Sequence, residues 1–152
     1  MGEISVKVVD FDKFAVIEEI RRRVFQDEQG VEVELDFDGK DEICQQLIAY
    51  LDEKAVGTAR IRYLDEKTAK IERLAVLSSA RRKGIAKKIM FHALEVIASQ
   101  NLTEVMVNAQ EYIKGLYQQL GFEQVGEAFE EAGILHVKMN KRLNVEGQRL
   151  KV

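Results

Sequence analysis

The chain has 152 residues, 46% of them apolar, and its 23 basic and 26 acidic side chains give a formal net charge of −3. This length predicts one domain with an ordinary hydrophobic core over residues 1–144, followed by a polar tail over residues 145–152. The acidic balance argues against a nucleic-acid partner, because general nucleic-acid binders carry a basic excess.

Neither a membrane nor a metal is an expected partner. No apolar run approaches the roughly 18 residues that span a bilayer, and the N-terminal residues lack the pattern of a signal peptide. We therefore expect a cytoplasmic protein. Two distant histidines, His92 and His136, and one cysteine, Cys44, do not give the spacing of metal ligands.

The first predicted elements are a strand and an amphipathic helix. Apolar and polar residues alternate over residues 4–9, as in a half-buried strand. Asp10 or Asp12 caps a helix that runs to about Phe25. Its inward stripe consists of Phe14, Ile17, Ile20, Arg21 and Val24. The acidic segment 26–40 is interpreted as a loop or a short second helix.

The remaining elements predict a mixed α/β domain. Three strands joined by short polar turns form an antiparallel meander, and helices cover the faces of the sheet. In chain order these elements are strands over 42–51, 55–63 and 68–76, a helix over 82–100, a strand over 104–109, a helix over 111–120, and strands over 122–126 and 134–141.

A basic turn before the long helix is the most informative stretch of the sequence. Its residues are Arg81, Arg82, Lys83, Gly84, Ile85 and Ala86. The free N–H groups of a first helical turn and three cationic side chains favour a phosphate or pyrophosphate. The turn is neither a Walker loop nor a dinucleotide fingerprint. In an alternative interpretation a helix merely begins after a basic turn, and Gly84 relieves crowding.

This turn, the strands 71–76 and 105–109 and the block 117–122 together resemble the GNAT family of acetyl-CoA-dependent N-acetyltransferases. The resemblance covers residues 3–143. It implies a GNAT-type α/β fold, with a mixed, mostly antiparallel sheet of six to seven strands that is splayed at its centre and carries about four helices on its faces.

Two short motifs carry the resemblance. The residues that match the family turn, Gln/Arg-x-x-Gly-x-Gly/Ala, are Arg81, Gly84 and Ala86. The residues that match the family signature Tyr-x-x-x-Gly-Phe are Tyr117, Gly121 and Phe122. The blocks 22–29, 121–129 and 136–139 are similar to a small-molecule branch that includes ElaA-like proteins and glyphosate N-acetyltransferase.

The resemblance implies a site for acetyl-CoA. The pyrophosphate would lie on the N–H groups of residues 82–86. The pantetheine arm would pair like an extra strand with an exposed strand edge. The residues of that edge are Leu74, Ala75 and Val76, and a backbone N–H near Leu74 would bind the oxyanion. The counterpart edge would be residues 105–108, where Asn108 contacts the pantetheine amides or is a strand-end turn residue.

Tyr117 and His136 are the candidate catalytic residues. A phenol, with an unperturbed pKa near ~10, can give a proton to a departing thiolate. In the alternative, Tyr117 is a packed aromatic. A histidine titrates near ~6.5 and can take a proton from the amine, and the glyphosate-acetylating relatives use a histidine at the position matched by His136. A solvated strand histidine is the alternative, and His92 is interpreted as structural.

Arg22 and Arg73 are the candidate substrate-binding residues, because a guanidinium suits a carboxylate or a phosphonate. In an alternative arrangement Arg22 is solvated, and Arg21 or Arg23 points inward. Arg73, flanked by apolar residues, either lines a cleft or is paired, because burying an unpaired charge is costly. The related acetylase has an arginine where this chain has Gln110. This departure removes one cation from a glyphosate-like site.

We expect direct transfer of an acetyl group from acetyl-CoA to an amine of a small molecule. A non-catalytic acyl-CoA-binding module would keep the turn without needing Tyr117 or His136. A protein-lysine acetyltransferase would share the cofactor site and differ in its acceptor. The acidic run 28–42 either binds a cationic amine or forms a solvated loop. A homodimer is an open alternative to a monomer.

Overall fold

A computed structural model describes residues 2–143, so the predicted tail over residues 145–152 lies outside the described residues. The strands are β1 (Ile4–Val9), β2 (Gln45–Leu51), β3 (Lys54–Tyr63), β4 (Thr68–Val76), β5 (Glu104–Gln110), β6 (Glu123–Gln124), β7 (Phe129–Glu131) and β8 (Ile134–Arg142). They form one sheet in the order β1-β2-β3-β4-β5-β8-β6, and β7 also pairs with β8.

The strand count is the point at which the sheet departs from the prediction. The mixed sheet and the antiparallel β2-β3-β4 meander are confirmed, but the described residues form eight strands where six or seven were expected. The unpredicted strand is β7, whose sequence Phe-Glu-Glu shows no apolar alternation. The strand predicted over 122–126 shortens to β6, since Gly126, with a φ of 79°, turns the chain away.

Four α-helices flank the described part of the sheet. They are α1 (Phe14–Arg21), α2 (Val33–Asp36), α3 (Ile85–Ser99) and α4 (Lys114–Gln119). A π-helical segment, Arg22–Glu28, continues α1. The predicted helix 82–100 begins only at Ile85, because φ angles of 63° at Arg82 and 77° at Gly84 do not fit an α-helix. Among residues 2–143 no helix is long and apolar enough to cross a membrane.

The hydrophobic core lies on both faces of the sheet. On one face α3 buries a row of apolar side chains, Ile85, Ile89, Met90, Ala93 and Ile97. On the other face Ile20 and Val24 pack on Ala75 of β4. Consecutive strand residues point to opposite faces, so Ala75 and its neighbour Val76, which joins the α3 cluster, place the two helices on opposite sides. Burial of one such large apolar side chain contributes about 1.5–3 kcal/mol.

The sheet opens between β4 and β5, which run parallel. The two strands pair over three residues each, Thr68–Glu104, Ala69–Val105 and Lys70–Met106. Farther along β4, Arg73 and Leu74 together oppose Ala59 of β3 in a bulge, and Arg73 has a φ of 57°. A bulge bends its strand, so residues 71–76 separate from β5. The resulting gap confirms the predicted central splay.

Candidate active site

The basic turn presents a group of unpaired backbone amides. The first backbone bond of α3 runs from the Lys88 N–H to the Gly84 carbonyl, 3.1 Å away. Within the described chain, the N–H groups of residues 82–87 find no backbone or side-chain acceptor. An ordinary helix leaves four N–H groups free, and here the positive φ angles of Arg82 and Gly84 extend the free set into the loop. Such a concave set of amides suits an anion.

Gly84 is required by backbone conformation and not by lack of space. Its φ of 77° lies in the left-handed region, which favours glycine. A Cβ built at this position would have no atom within 4 Å. The alternative in which Gly84 relieves crowding is therefore wrong.

The side chain of Arg81 is already paired. Its guanidinium donates to the Val76 carbonyl over 3.0 Å and forms a two-bond ion pair with Glu28. This pairing holds the pKa of the Glu28 carboxyl below its usual value. Arg81 thus ties the π-helical segment to the end of β4. Arg82 and Lys83 are also exposed, and within residues 2–143 neither of these two cationic side chains enters an ion pair.

Of the two predicted edges of the gap, the β4 edge agrees with the structure and the β5 edge agrees only in part. Leu74, Ala75 and Val76 lie beyond the last residue of β4 that pairs with β5, as the cofactor model requires. The counterpart edge is partly wrong, because Val105 and Met106 pair with β4. The free part of β5 is residues 107–110.

Asn108 lies in the free part of β5. It occupies the middle of the strand and pairs with Lys138 of β8. The alternative of a strand-end turn residue is therefore wrong. Its partly buried side chain makes no hydrogen bond within residues 2–143.

Tyr117 combines a packed ring with an unengaged hydroxyl. The side chain is buried in the α3 cluster, and its ring meets Phe122 edge-to-face at 5.9 Å. Burial, and then the nearby Tyr112, raise the pKa of the Tyr117 phenol well above its usual value. The hydroxyl has no hydrogen-bond partner in the described chain. In that part of the chain, the side-chain atom that is both fully buried and without a partner is Gln46 Oε1, not the Tyr117 hydroxyl. The hydroxyl is therefore not sealed in the core, and it carries its proton at neutral pH.

His136 lies on β8 between Gln110 of β5 and Phe129 of β7. It is 7% exposed, so the alternative of a solvated histidine is wrong. Nδ1 lies 2.7 Å from the Ile134 carbonyl oxygen, which can only accept a hydrogen bond, so Nδ1 carries the proton. In the neutral ring the lone pair then lies on Nε2, which is 3.9 Å from the Glu131 carboxylate. This is the tautomer that a proton acceptor at Nε2 needs.

A neutral amide pair lies beside His136 at the free end of β5. The Gln110 side-chain amide donates to the Gln29 side-chain oxygen over 2.9 Å and links β5 to the loop after the π-helical segment. The sequence indicated only that Gln110 replaces an arginine of the related acetylase. It did not indicate that Gln29 is the partner of Gln110. Residues 81 positions apart leave no local signal of such a contact.

The two candidate substrate arginines differ in position. Arg22 lies on the outer side of the π-helical segment, where its half-exposed side chain pairs with Glu19 and Asp27. The structure does not bring Arg22 to the gap, and the inward arginine is the fully buried Arg21. Arg73, in the bulge beside the gap, has a side chain that is 20% exposed.

The Arg73 guanidinium holds the loop around α2 against the bulge. It donates to the carbonyls of Leu35 and Asp36, both over 3.0 Å. Burial, together with the charges of Arg60 and Arg21, lowers the pKa of Arg73. The guanidinium also donates to the Asp38 carboxylate over 3.4 Å and lies 3.6 Å from that of Asp36. Among the described residues its Nη1 makes no hydrogen bond and is the part left for a further partner.

The acidic run 28–42 is solvated in part: Glu32, Glu34 and Glu42 are exposed, whereas a buried ion network anchors Asp36 and Asp41. Asp36 bonds Arg21, and Asp41 bonds both Arg21 and Arg60. Arg60 is fully buried and also contacts Asp38 and Glu72. The buried charges, with their exposed fractions, are Arg21 (0%), Arg60 (0%), Asp36 (2%), Asp41 (7%) and Glu72 (9%).

Sequence reasoning missed this network, although one signal was present. Arg21 falls within the apolar stripe of the first helix, and Arg60 lies between the apolar residues Ala59 and Ile61 of a predicted strand. A buried charge needs a partner, so each arginine predicted an acidic one. Nothing in the pattern said which of the acidic residues supplied it.

The described residues contain no group of three or more His, Cys, Asp or Glu side chains that could hold a metal ion. The site is instead built from free amides, a gap between strands, one phenol, one imidazole and one guanidinium. The free amides of this set suit an anion at the turn, and a phenol and an imidazole are groups that can give or take a proton.

Comparison with known proteins gives a family for this arrangement. Residues 12–143 match a model described as an acetyltransferase (GNAT) domain. The chain is 37% identical over 128 residues to the uncharacterized protein YyaT of Bacillus subtilis, with 82% of this chain and 86% of YyaT covered. It is 32% identical over 123 residues to YjcF of the same organism, an uncharacterized N-acetyltransferase, with 80% and 87% covered.

Solved structures share the fold. Escherichia coli ElaA superposes with a TM-score of 0.79 and 25% identity, over 93% of this chain and 99% of ElaA. The PaiA N-acetyltransferase of Thermoplasma acidophilum, solved in complex with coenzyme A, superposes with a TM-score of 0.72 over 93% of this chain and 99% of its own. At 15% identity, this second likeness supports the fold alone.

Proposed function

We propose that this chain, which belongs to the GNAT acetyltransferase family and is an acyltransferase, transfers an acetyl group to an amine. The donor would be acetyl-CoA, the acceptor would be a small molecule, and the transfer would be direct. The observation that carries the proposal is the set of free amides over residues 82–87, which lies next to an opened sheet edge. A diphosphate fits the amides, and an amide-bearing chain fits the edge.

The residues that would hold acetyl-CoA fall into two groups. The backbone of residues 82–86 would bind the diphosphate, with Arg82 and Lys83 adding positive charge. The edge of β4 would pair with the pantetheine amides through Leu74, Ala75 and Val76. Arg81, whose N–H already donates to the Ser78 carbonyl over 3.4 Å, would fix the turn through Glu28. Asn108 would face the arm from β5.

Acetyl transfer makes three demands that the proposed residues meet. When bound, acetyl-CoA supplies the thioester. As the amine nitrogen bonds to the acetyl carbon, a backbone N–H near Leu74 would donate to the oxygen that becomes negative. As the carbon–sulfur bond breaks, Tyr117 would give its proton to the thiolate. His136 Nε2 would take the proton that the amine loses.

The acceptor end supports a small molecule with an anionic group. Arg73 stays partly exposed beside the gap and would bind a carboxylate or phosphonate. Arg22, half-exposed and paired elsewhere, is the weaker candidate for that role. The neutral Gln29–Gln110 pair removes a cation that a glyphosate-like site would have. Membership of the glyphosate branch, a cytoplasmic location and a homodimer stay predictions.

Calorimetric titration with acetyl-CoA tests the cofactor site, and a thiol-release assay over amino acids, amino sugars, polyamines and aminophosphonates tests the transfer. We expect binding, and thiol release with at least one amine. Absence of both heat and thermal shift at millimolar acetyl-CoA would contradict the proposal. Binding without thiol release over the whole panel would favour an acyl-CoA-binding module, and preference for peptides would favour a protein-lysine acetyltransferase.

A further inference from the structure

The β7–β8 hairpin brings a carboxylate to the edge of the His136 ring. A two-residue turn joins its strands, and Ala132 and Gly133 in that turn have φ angles of 54° and 75°. Positive φ angles at both central residues are typical of the type I′ turns of tight hairpins. The resulting register pairs Phe129 with His136 directly across the hairpin. Because alternate strand residues share a face, Glu131 lies on the same face as both rings.

The ring of Phe129 covers one face of the His136 imidazole and leaves Nε2 accessible at the edge. The two rings are stacked, with centroids 6.0 Å apart and planes at 25°. Nδ1 is bonded to the Ile134 carbonyl. Nε2 is the ring nitrogen that lies 3.9 Å from Glu131 Oε2. A ligand that contacts Nε2 therefore also meets this carboxylate.

His136 Nε2 and Glu131 Oε2 are two acceptors that no donor of the described chain bridges. The neutral ring has its lone pair on Nε2, and a carboxylate can only accept. Among residues 2–143 the Glu131 carboxylate forms no hydrogen bond and no ion pair with a lysine or an arginine. A donor nitrogen about 2.9 Å from each acceptor completes a triangle on the 3.9 Å base. One group with two or more N–H bonds thus satisfies both atoms.

The carboxylate selects the charge of that donor. An ammonium group has three N–H donors and a positive charge, so it can donate to both acceptors and pair with the carboxylate. A water molecule has two donors but no charge. The Glu131 side chain is half-exposed, whereas that of His136 is buried. A cation can therefore reach the carboxylate from solvent and donate its next N–H to the buried base.

We propose that Glu131 is an acceptor-binding residue, which holds the ammonium form of the amine against Nε2 of His136. This inference rests on the proposed function and adds a residue to its acceptor site. One N–H bond of the ammonium breaks, and its electron pair stays on the nitrogen as the lone pair that attacks the acetyl carbon. The proton forms a bond to Nε2. The positive charge moves from the amine to the imidazole and stays beside Glu131, so the carboxylate favours uptake of the charged amine without opposing the proton transfer.

The charges on the two sides of the gap indicate a zwitterionic acceptor. His136 faces away from α3, because its neighbour Val137 packs in the α3 cluster. Arg73 lies on the same face, since its guanidinium bonds the Asp36 carbonyl in the loop that is anchored to α1. The strand order puts Arg73 on one side of the gap and Glu131 on the other. The amine binds at Glu131, and its carboxylate or phosphonate binds at Arg73.

Steady-state kinetics and calorimetry on the full chain test the role of Glu131. The probe is the amine of the thiol-release panel with the highest kcat/KM. Glu131→Gln should raise the KM of this amine roughly tenfold, as loss of a hydrogen bond to a charged group does, and leave the KM of acetyl-CoA unchanged. Glu131→Asp should recover part of the loss. Glu130→Gln is the control, because this exposed neighbour points to the opposite face of β7.

A second ligand separates recognition of the ammonium from a structural effect. This ligand is the analogue of the same amine in which a hydroxyl replaces the amino group. With coenzyme A present, Glu131→Gln should raise the Kd of the amine roughly tenfold and leave the Kd of the hydroxyl analogue unchanged. Circular dichroism of each variant checks that the fold is intact.

The outcomes separate this inference from the proposed function. Absence of thiol release by the unmodified protein over the whole panel overturns both. Thiol release with an unchanged KM of the amine in Glu131→Gln overturns only the role of Glu131. An equal loss of affinity for the amine and its hydroxyl analogue overturns that role as well, because the carboxylate would then not pair with the ammonium. The same rise of KM in Glu130→Gln has the same meaning.

Discussion

The two sides of the gap are built in opposite ways. On the proposed cofactor side, the turn over residues 82–87 leaves its amides and the cationic side chains of Arg82 and Lys83 without partners among residues 2–143. On the proposed acceptor side, the loop around α2 has the carboxylates of Asp36, Asp38 and Asp41 bonded to arginines, chiefly Arg21 and Arg60, and two of its carbonyls bonded to Arg73. The unpaired side is suited to take up a ligand, and the paired side fixes the wall beside it.

The two sides also differ in how their polar groups contribute to the free energies of folding and binding. Unpaired exposed amides and cations cost little folding free energy, because water solvates them. They contribute favourable free energy when an anion binds. A buried ion network adds little net stability when it is intact but costs much when one partner is removed. Substitutions on the acceptor side should therefore change stability, and substitutions on the cofactor side should change binding.

The largest expected effect is on the acceptor side. Arg60→Met leaves Asp38, Asp41 and Glu72 without their shared buried cation. We expect the free energy of unfolding to fall by about 3–5 kcal/mol, as when one member of a buried ion pair is lost. Urea denaturation measures the change. Arg142→Met, at a side chain that is 82% exposed, is the matched control and should change stability by less than about 1 kcal/mol. Equal small effects would remove the distinction between the two sides.

The next effect is on turnover. Tyr117→Phe removes the proposed proton donor and keeps the ring that packs on Phe122. We expect kcat to fall roughly 100-fold with little change in acetyl-CoA binding, because general-acid catalysis contributes factors of this size. Steady-state kinetics and calorimetry measure the two quantities. Tyr50→Phe on β2 is the control, and an unchanged kcat in Tyr117→Phe would remove Tyr117 from the chemistry.

Acid should weaken the acceptor side first. Burial opposes ionisation of Glu72, but hydrogen bonds from Arg62 and the charge of Arg60 prevail and lower the pKa of Glu72 to about 2, against an ordinary 4.5. A lowered folded-state pKa gives stability that is complete above pH 4.5 and lost as the pH falls towards 2. We expect a loss of roughly 1–3 kcal/mol over this window.

Denaturation at a series of pH values measures this loss. Glu72→Gln should flatten the acid limb of the stability curve, since the titrating group is gone. Glu66→Gln, at an exposed turn position, should leave the curve unchanged. An acid limb that is as steep in Glu72→Gln as in the unmodified protein would contradict the assignment.

The smallest expected effect is on the cofactor side, where it should separate binding from stability. Gly84→Ala forces a Cβ into the left-handed region at a φ of 77°, with a backbone cost of about 1–2 kcal/mol. Gly39→Ala carries the same cost at a φ of 82°, and both positions have open space around them. We expect similar losses of stability in the two variants. Only Gly84→Ala should weaken acetyl-CoA binding, by roughly tenfold.

The same division explains how much the sequence could predict. The turn at Gly84 and the meander depend on local patterns, namely a glycine, a basic cluster and apolar spacing, and these were predicted. The late start of α3 was missed because the positive φ of Arg82, a non-glycine residue, leaves no mark in the sequence. The two-residue β6 and the Phe-Glu-Glu strand β7 are set by pairing with β8 and not by their own pattern.

Contacts between distant segments could not be predicted. Arg60 lies 22 residues from Asp38, and Arg81 lies 53 residues from Glu28. A single sequence offers many acidic candidates for each arginine. Burial could be inferred for Arg21 from its place in the apolar stripe, but the identity of its partners depended on the folded loop.

The short pairing between β4 and β5 has a consequence for solvent access. In a strand, successive amides point to alternate sides, so along residues 71–76 every second N–H faces the gap where a neighbouring strand would otherwise protect it. Hydrogen exchange should therefore show a stripe of fast amides in the middle of a slow sheet. Protection of that stripe on adding ligand would trace the path of whatever fills the opening.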